Sequence, residues 1–264
     1  MPRVAPETAL FIGGHDPSGG AGLTADIQTA SALGVHPLTL VTALTIQDTE
    51  NAERVEPVDP DWLECAFRKV VADIHPASIK VGLWGSPAVG ERLATLLAGT
   101  TPVPVVVDPV WKASGGFQLA QDGWAEIVRS RLLPVTNLLT PNRIELAALA
   151  PAASTADEAA RELLSLGAGA ILVTGGDQDP HLPYVTSTLY LPDGSLERWN
   201  DIRLPAAFHG SGCTLASACA CYLARGYPVK MAVRAGLRWT HLALVKARAV
   251  GRGGRIPFRG GIST

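Results

Sequence analysis

The chain is poor in charge and in cysteine. Asp, Glu, Lys and Arg make up 17% of its 264 residues, against 47% hydrophobic, and the formal net charge is −2. So even a balance argues against general binding to nucleic acid or to a membrane surface, and neither partner is expected. The apolar share is enough for a substantial core. The four cysteines, Cys65, Cys213, Cys219 and Cys221, form no C-x-x-C pair and no zinc spacing. A reducing, cytoplasmic setting is expected, with Cys65, Cys219 and Cys221 as small core or near-core residues. No apolar run reaches membrane-spanning length, and the start lacks the basic–apolar–small pattern of a secretory leader. No G-x-x-x-x-G-K-[ST] occurs, which excludes a P-loop nucleotide enzyme. Composition breaks, low-complexity linkers and internal repeats are also missing. Residues 1–264 therefore read as one domain, ending in a Gly- and Arg-rich tail from about residue 250. In that tail Arg252, Arg255 and Arg259 read as part of a flexible end.

What is present is a regular alternation of short apolar runs and helical periods. Ala9–Gly13, Leu38–Ile46, Ile79–Leu83, Val103–Val107, Val135–Leu139 and Ala170–Val173 read as strands. Val103–Val107 is apolar without alternation, as expected of a strand covered on both faces. Helices are expected after most of them. Leu23, Ile27, Ala30 and Leu33 repeat at helical spacing and stop at Gly34. Asp59-Pro60 is a cap followed by a first-turn proline. Further helices are expected over Ser86–Ala98 and Gly123–Leu133, and Thr155-x-x-Glu158 has the form of a capping box. Val185–Leu191 and Leu196–Ile202 flank Asp193-Gly194 as a hairpin. Two helices, about 213–224 and 229–248, close the chain. The predicted class is α/β, with a mostly parallel central sheet between helical layers.

The stretch with the most chemical content is His209-Gly210-Ser211-Gly212-Cys213-Thr214, where small residues run into a helix. A helix start has backbone N–H groups without partners, and its dipole favours negative charge. Gly210 and Gly212 would let a ligand approach those groups. The stretch fits an anion cradle, and it equally fits an ordinary helix start with a buried cysteine. Other polar or Gly-rich positions fall at predicted strand ends: Asp16–Gly22, Gln47–Thr49, Asp108, Asn142 with Glu145, and Thr174–Asp177. In an open parallel sheet ligands bind outside the carboxyl ends of the strands, so these five loops should meet at one crevice. Gly20-Ala21-Gly22-x-x-Ala25 mimics a dinucleotide fingerprint. However, several residues separate it from the strand end, and the region about twenty positions on reads Leu40-Val41-Thr42, with no acidic residue.

Six stretches together carry a resemblance. They are Asp16-Pro17-Ser18-Gly19-Gly20-Ala21-Gly22-x-x-Ala25-Asp26, Ala43-Leu44-Thr45-x-Gln47-x-Thr49, Lys80-Val81-Gly82, Val107-Asp108-Pro109-Val110, Thr140-Pro141-Asn142-x-x-Glu145, and His209 to Leu215. In that order and spacing the chain resembles the ribokinase-type family of ATP-dependent small-molecule kinases. More narrowly, it is similar to the hydroxymethylpyrimidine/phosphomethylpyrimidine kinases of thiamine biosynthesis.

The resemblance implies a three-layer αβα ribokinase-like fold, ATP as co-substrate, Mg2+, an aminopyrimidine alcohol or its phosphate as substrate, and a homodimer. It implies that Gly210, Ser211, Gly212 and Cys213 form the catalytic anion loop. Cys213 would then be the base, its thiol pKa lowered by the helix terminus. Asn142 would position phosphates, with Glu145 and Asp108 facing the metal through water. Thr174, Gly175 and Asp177 would line the ATP side, although relatives commonly carry Lys and His where Thr174 and Asp177 stand. Gln47 is expected to read the pyrimidine, since an amide offers one acceptor and two donors. Gly14, Gly20, Gly22, Asp26 and Leu83 are expected to shape the same pocket, Asp26 equally fitting a residue that only caps or pairs locally, and Leu83 standing where Met is frequent. Two alternatives are a pyridoxine/pyridoxal kinase and a non-catalytic pyrimidine-sensing protein on the same scaffold.

Overall fold

A computed structural model describes residues 7–260. The strands are β1 (Thr8–His15), β2 (His36–Gln47), β3 (Ala52–Pro57), β4 (Ser78–Val81), β5 (Val105–Val107), β6 (Leu138–Leu139), β7 (Ile171–Val173), β8 (Tyr184–Tyr190) and β9 (Leu196–Ile202). They form one nine-stranded sheet in the order β3-β2-β1-β4-β5-β6-β7-β8-β9. The strands from β2 to β7 in that order are parallel to one another; β3 and β8 run antiparallel to them at the two sides, and β9, paired antiparallel with β8, again runs with the central strands.

The helices are α1 (Gly22–Ala32), α2 (Pro60–Asp73), α3 (Pro87–Ala98), α4 (Trp124–Ile127), α5 (Arg143–Leu149), α6 (Ala156–Ser165), α7 (Ser211–Ala224) and α8 (Val229–Val245). Alternate strand residues divide the core into two layers. Leu10, Ile12, Val105 and Val107 pack under α2 to α6, and Ala9, Phe11, Val106 and Leu138 pack under α1, α7 and α8. This is the three-layer αβα arrangement, and it explains strands that are apolar without alternation.

Local chemistry sets the helix ends. Asp59 accepts from the N–H groups of Asp61 and Trp62 ahead of Pro60. Thr155 Oγ1 accepts from Glu158 N, and the Glu158 carboxylate reaches Ser154 N, one residue earlier than a strict capping box requires. α4 continues as a π-helical turn over Val128–Leu132 and a 3₁₀ turn over Leu133–Val135, so the predicted single helix changes pitch twice.

Three expectations need correction. β3 was not expected, because its sequence Ala-Glu-Arg-Val-Glu-Pro is mostly exposed and gives no apolar signal. Cys65 is exposed on α2, whereas Cys219 and Cys221 are buried as predicted. The Arg-rich end, as far as residue 260, is not loose. Gly254 N donates to Thr49 O, His209 N to Arg255 O and Phe258 N to Ala243 O, which stitches the segment across three parts of the molecule.

Candidate active site

The sheet reverses its winding at β1, with β2 on one side and β4 on the other, and in open parallel sheets ligands bind outside such strand ends. Gly14, the next-to-last residue of β1, faces Leu83. A side chain at Gly14 would meet Leu83 at 3.1 Å, so the glycine keeps this pocket wall open. Leu83 is itself buried, and its carbonyl accepts from Thr42 Oγ1. Gln47, the last residue of β2, is half-buried, and its amide engages no protein partner among the described residues.

The Gly-rich loop is built around Asp16. Its carboxylate accepts from Ser18 N (2.8 Å), Ala21 N (2.7 Å) and His209 Nε2 (2.7 Å). Burial opposes its charge, but these donors outweigh that and hold the Asp16 pKa down at about 2. Gly22, with φ +55, and Gly20 serve close approach. A Cβ on Gly22 would strike Gly14 O, and one on Gly20 would strike the His209 ring. These two glycines therefore let the loop fold against β1 and the α7 loop.

Asp26 departs from expectation. It is fully buried and lies behind the pocket, where it accepts from Lys80 Nζ at 3.0 Å and from Ser217 Oγ at 2.5 Å. No surface of it is free to shape a substrate pocket. Lys80, 1% exposed, is the residue that the motif contained without a role. Burial works against its charge, yet Asp26, Cys213 and Asp108 together raise its pKa, and it stays an ammonium.

The head of α7 is the centre of the arrangement. Gly210, with φ +85, precedes the helix so closely packed on Gly20 O that a Cβ would clash. Gly212 is exposed, and a Cβ there would meet only Asp108, at 3.9 Å. Cys213 is partly exposed, and Lys80, Asp108 and Asp26 lie near enough for their charges to act on its thiol. The expected lowering of its pKa does not occur. Burial is the largest influence and pushes the thiol up to about 12; Lys80 opposes it, and Asp108 and Asp26 add to it.

Asn142 and Glu145 form a reciprocal capping box at α5. Asn142 Oδ1 accepts from Glu145 N at 2.8 Å, and Glu145 Oε2 accepts from Asn142 N at 3.0 Å. Glu145 is 7% exposed. Burial, and then the charge of Asp108, push its pKa up to about 8. Burial likewise raises Asp108, which lies at the end of β5. Thr174 continues β7 in a bridge beside Asn142. Gly175 is buried and lets Gln178 fold back on Thr186, and Asp177 accepts from Ile144 N at 3.0 Å in the first turn of α5. The structure thus brings Gly14, Gln47, Leu83, Asp108, Cys213, Asn142, Glu145 and Thr174 to one edge of the sheet and withdraws Asp26. His209, bonded to Asp16 and facing Ser114 Oγ at 3.4 Å, and Arg259 are site residues that sequence reasoning left without roles.

The family model for phosphomethylpyrimidine kinase matches residues 16–258. This chain belongs to that family. A hydroxymethylpyrimidine/phosphomethylpyrimidine kinase of Streptomyces coelicolor is 38% identical over 261 residues, covering 96% of this chain and 94% of that one. Among solved structures, phosphomethylpyrimidine kinase of Clostridium difficile superposes with a TM-score of 0.77 at 29% identity, over 90% of this chain and 99% of that one. Pyridoxal kinase of Staphylococcus aureus in complex with pyridoxal superposes at 0.86 with 25% identity, over 97% and 94%.

Proposed function

We propose that the chain transfers the γ-phosphoryl group of ATP to the hydroxymethyl group of 4-amino-5-hydroxymethyl-2-methylpyrimidine, and a second one to the resulting monophosphate. The order of groups along the sheet edge carries this reading. Gln47, Gly14 and Leu83 stand at β2, β1 and beyond β4; Asp108 with the α7 head stands at β5; Asn142 and Thr174 stand at β6 and β7. An acceptor, a transferred phosphate and a nucleotide need that linear order for in-line displacement. A sensing protein would not require the anion loop and the buried carboxylates to lie between the two halves.

In this reading the Gln47 amide pairs with the ring nitrogen and exocyclic amine of the pyrimidine. Backbone N–H groups of Ser211, Gly212 and Cys213 accept the charge that develops on the transferred group. Loss of one such donor generally costs on the order of 10²–10³ in rate. As the acceptor oxygen bonds to phosphorus, the bond to the ADP oxygen breaks and the hydroxyl proton must leave. Cys213 holds its own proton at neutral pH, so it can take the substrate proton only by giving its own to a neighbouring carboxylate, a role we give to Asp108, whose charge acts on it. The base is the Cys213–Asp108 pair.

Magnesium fits the residues present. Asp108 and Glu145 are two buried carboxylates that disfavour each other's ionisation, an arrangement that a nearby divalent cation relieves. No group of three or more metal-binding side chains occurs among the described residues, so these two would hold the ion through water. Bound there, it would offset phosphate charge. A homodimer is supported by apolar side chains exposed on the α1 and α8 layer, Ile27, Met231 and Val245. No described helix is long and apolar enough to cross a membrane.

A panel of the pyrimidine alcohol, its monophosphate and pyridoxal, each with ATP and Mg2+ and with products identified by mass, tests the reading. The likeness to pyridoxal kinases makes pyridoxal the informative competitor. Turnover of pyridoxal alone would overturn the pyrimidine assignment, and no ATP consumption with any acceptor would overturn the kinase assignment.

A further inference from the structure

The C-terminal segment supplies one side chain that the fold alone does not require. Arg259 is 2% exposed, and among the described residues all its hydrogen-bond partners are neutral oxygens. It donates to Gly20 O at 2.5 Å, Thr214 Oγ1 at 2.9 Å, Gln28 Oε1 at 3.1 Å, Gly210 O at 3.4 Å and Gly19 O at 3.5 Å. Burial lowers its pKa to about 10, partly offset by Cys213, Asp26 and Asp16, so it is charged at neutral pH. A buried guanidinium with no carboxylate partner is unusual, because desolvating a charge is costly unless something compensates.

Its position explains the compensation. Gly19 and Gly20 belong to the loop on the acceptor side, and Gly210 and Thr214 belong to the head of α7. The Gly210 carbonyl is held by Thr214 N (3.0 Å), Thr214 Oγ1 (2.6 Å) and Arg259. In a trans peptide the N–H points opposite to the C=O, so fixing that carbonyl aims Ser211 N–H away from Arg259. The planar fork is suited to hold two loops in one geometry, which a lysine cannot reproduce.

We propose that Arg259 is a positioning residue for phosphoryl transfer: it clamps the Gly-rich loop to the head of α7 and sets a positive charge, bonded to no carboxylate among the described residues, behind the amides facing the transferred phosphate. The proposal rests on the reading of Gly210–Cys213 as the anion loop. Its effect belongs to the step at which charge builds on the phosphate, so it acts on kcat more than on acceptor binding.

The test uses full-length Arg259→Ala, Arg259→Lys and Arg259→Gln, with steady-state constants for ATP and acceptor measured well below each variant's melting temperature. Arg259→Ala is expected to lower kcat about 10- to 100-fold while the acceptor KM moves less than about threefold, in line with losing one preorganised electrostatic group. Ethylguanidinium is expected to restore kcat saturably, and sodium chloride at equal ionic strength is not. Arg259→Lys should lie between the parent and Arg259→Gln. A kcat for Arg259→Ala within about twofold of the parent overturns the proposal, as does a loss that ethylguanidinium leaves untouched. Where Arg259→Ala does not fold, equal kcat values for Arg259→Lys and Arg259→Gln overturn it. Gly212→Ala separates the two readings, because its methyl meets only Asp108 and enters open space beside the α7 head. If Gly212→Ala keeps full turnover, the anion-loop reading fails; if it loses turnover and the Arg259 variants do not, only the present proposal fails.

Discussion

Glu145→Gln should make the protein more stable and less active, with a stability gain that depends on pH. The amide keeps the shape of the carboxyl and still serves at N3 of a capping box, so α5 keeps its start. What the change removes is an ionisation. The folded carboxyl titrates at about 8 against 4.5 for the free group. Below pH 4.5 both folded and unfolded chains hold the proton, and glutamate and glutamine are equivalent. Between 4.5 and 8 the unfolded chain releases the proton while the folded one keeps it, so the parent loses stability as pH rises; above about 8 the penalty is constant. At 1.36 kcal/mol per pH unit, the interval from 4.5 to about 8 sets an upper bound of about 5 kcal/mol. Even a third of that is several degrees, at about 2–4 °C per kcal/mol for a chain near this size. Thermal melts of parent and Glu145→Gln at about pH 5, 6.5 and 8.5 measure it, and turnover with Mg2+ and ATP is expected to fall at least about tenfold if the carboxylate faces the phosphates. A melting shift of the same size at all three pH values, or a loss of stability at the highest, would refute the account of Glu145 as a strained carboxyl.

Cys213→Ala should lose most turnover and still bind nucleotide, and the parent thiol should alkylate slowly at neutral pH because it is protonated; nucleotide titration and iodoacetamide kinetics check both. Gln47→Ala should raise the acceptor KM by roughly 10- to 100-fold, the worth of about 1–3 kcal/mol of lost ligand hydrogen bonds, and an unchanged KM would remove Gln47 from recognition. Lys80→Met leaves the buried Asp26 carboxylate facing only Ser217 and should destabilise by about 3–5 kcal/mol in denaturant titration, much of which Lys80→Met combined with Asp26→Leu should recover.

The elements that were legible in advance are those with a local physical cause. Asp59-Pro60, the Asp193-Gly194 hairpin and the unbroken Val105–Val107 run each carry their structure in adjacent residues. β3 was not legible, because its pairing with β2 depends on a turn made by Asp48 Oδ1, which accepts from Glu50 N and Asn51 N, and not on an apolar pattern. The site was legible as a set of strand-end loops, since a parallel sheet gathers them whatever their spacing. Individual roles were less so. Asp26 and Lys80 are 54 positions apart, and only the β1–β4 pairing brings them together. Cys213 was misread for a related reason: its place at a helix start is local information, while the burial that raises its pKa, and the charges of Lys80, Asp108 and Asp26 around it, come from distant parts of the chain. Arg259 gave no signal at all, because three arginines among glycines look alike until one of them is buried.

Every residue of α7 from Thr214 to Ala224 is buried, and most are Ala, Ser or Cys, which lets the helix lie close to β1, β4 and β5. A rod wedged in this way has no freedom to slide or tilt without disturbing both neighbouring layers. On the reading proposed above, an opening that admits substrate would come from the opposite side, the β2–β3 hairpin with its exposed Leu44 and Ile46 and the Ser114 loop. Hydrogen exchange over a catalytic cycle should then be confined to those segments and spare α7.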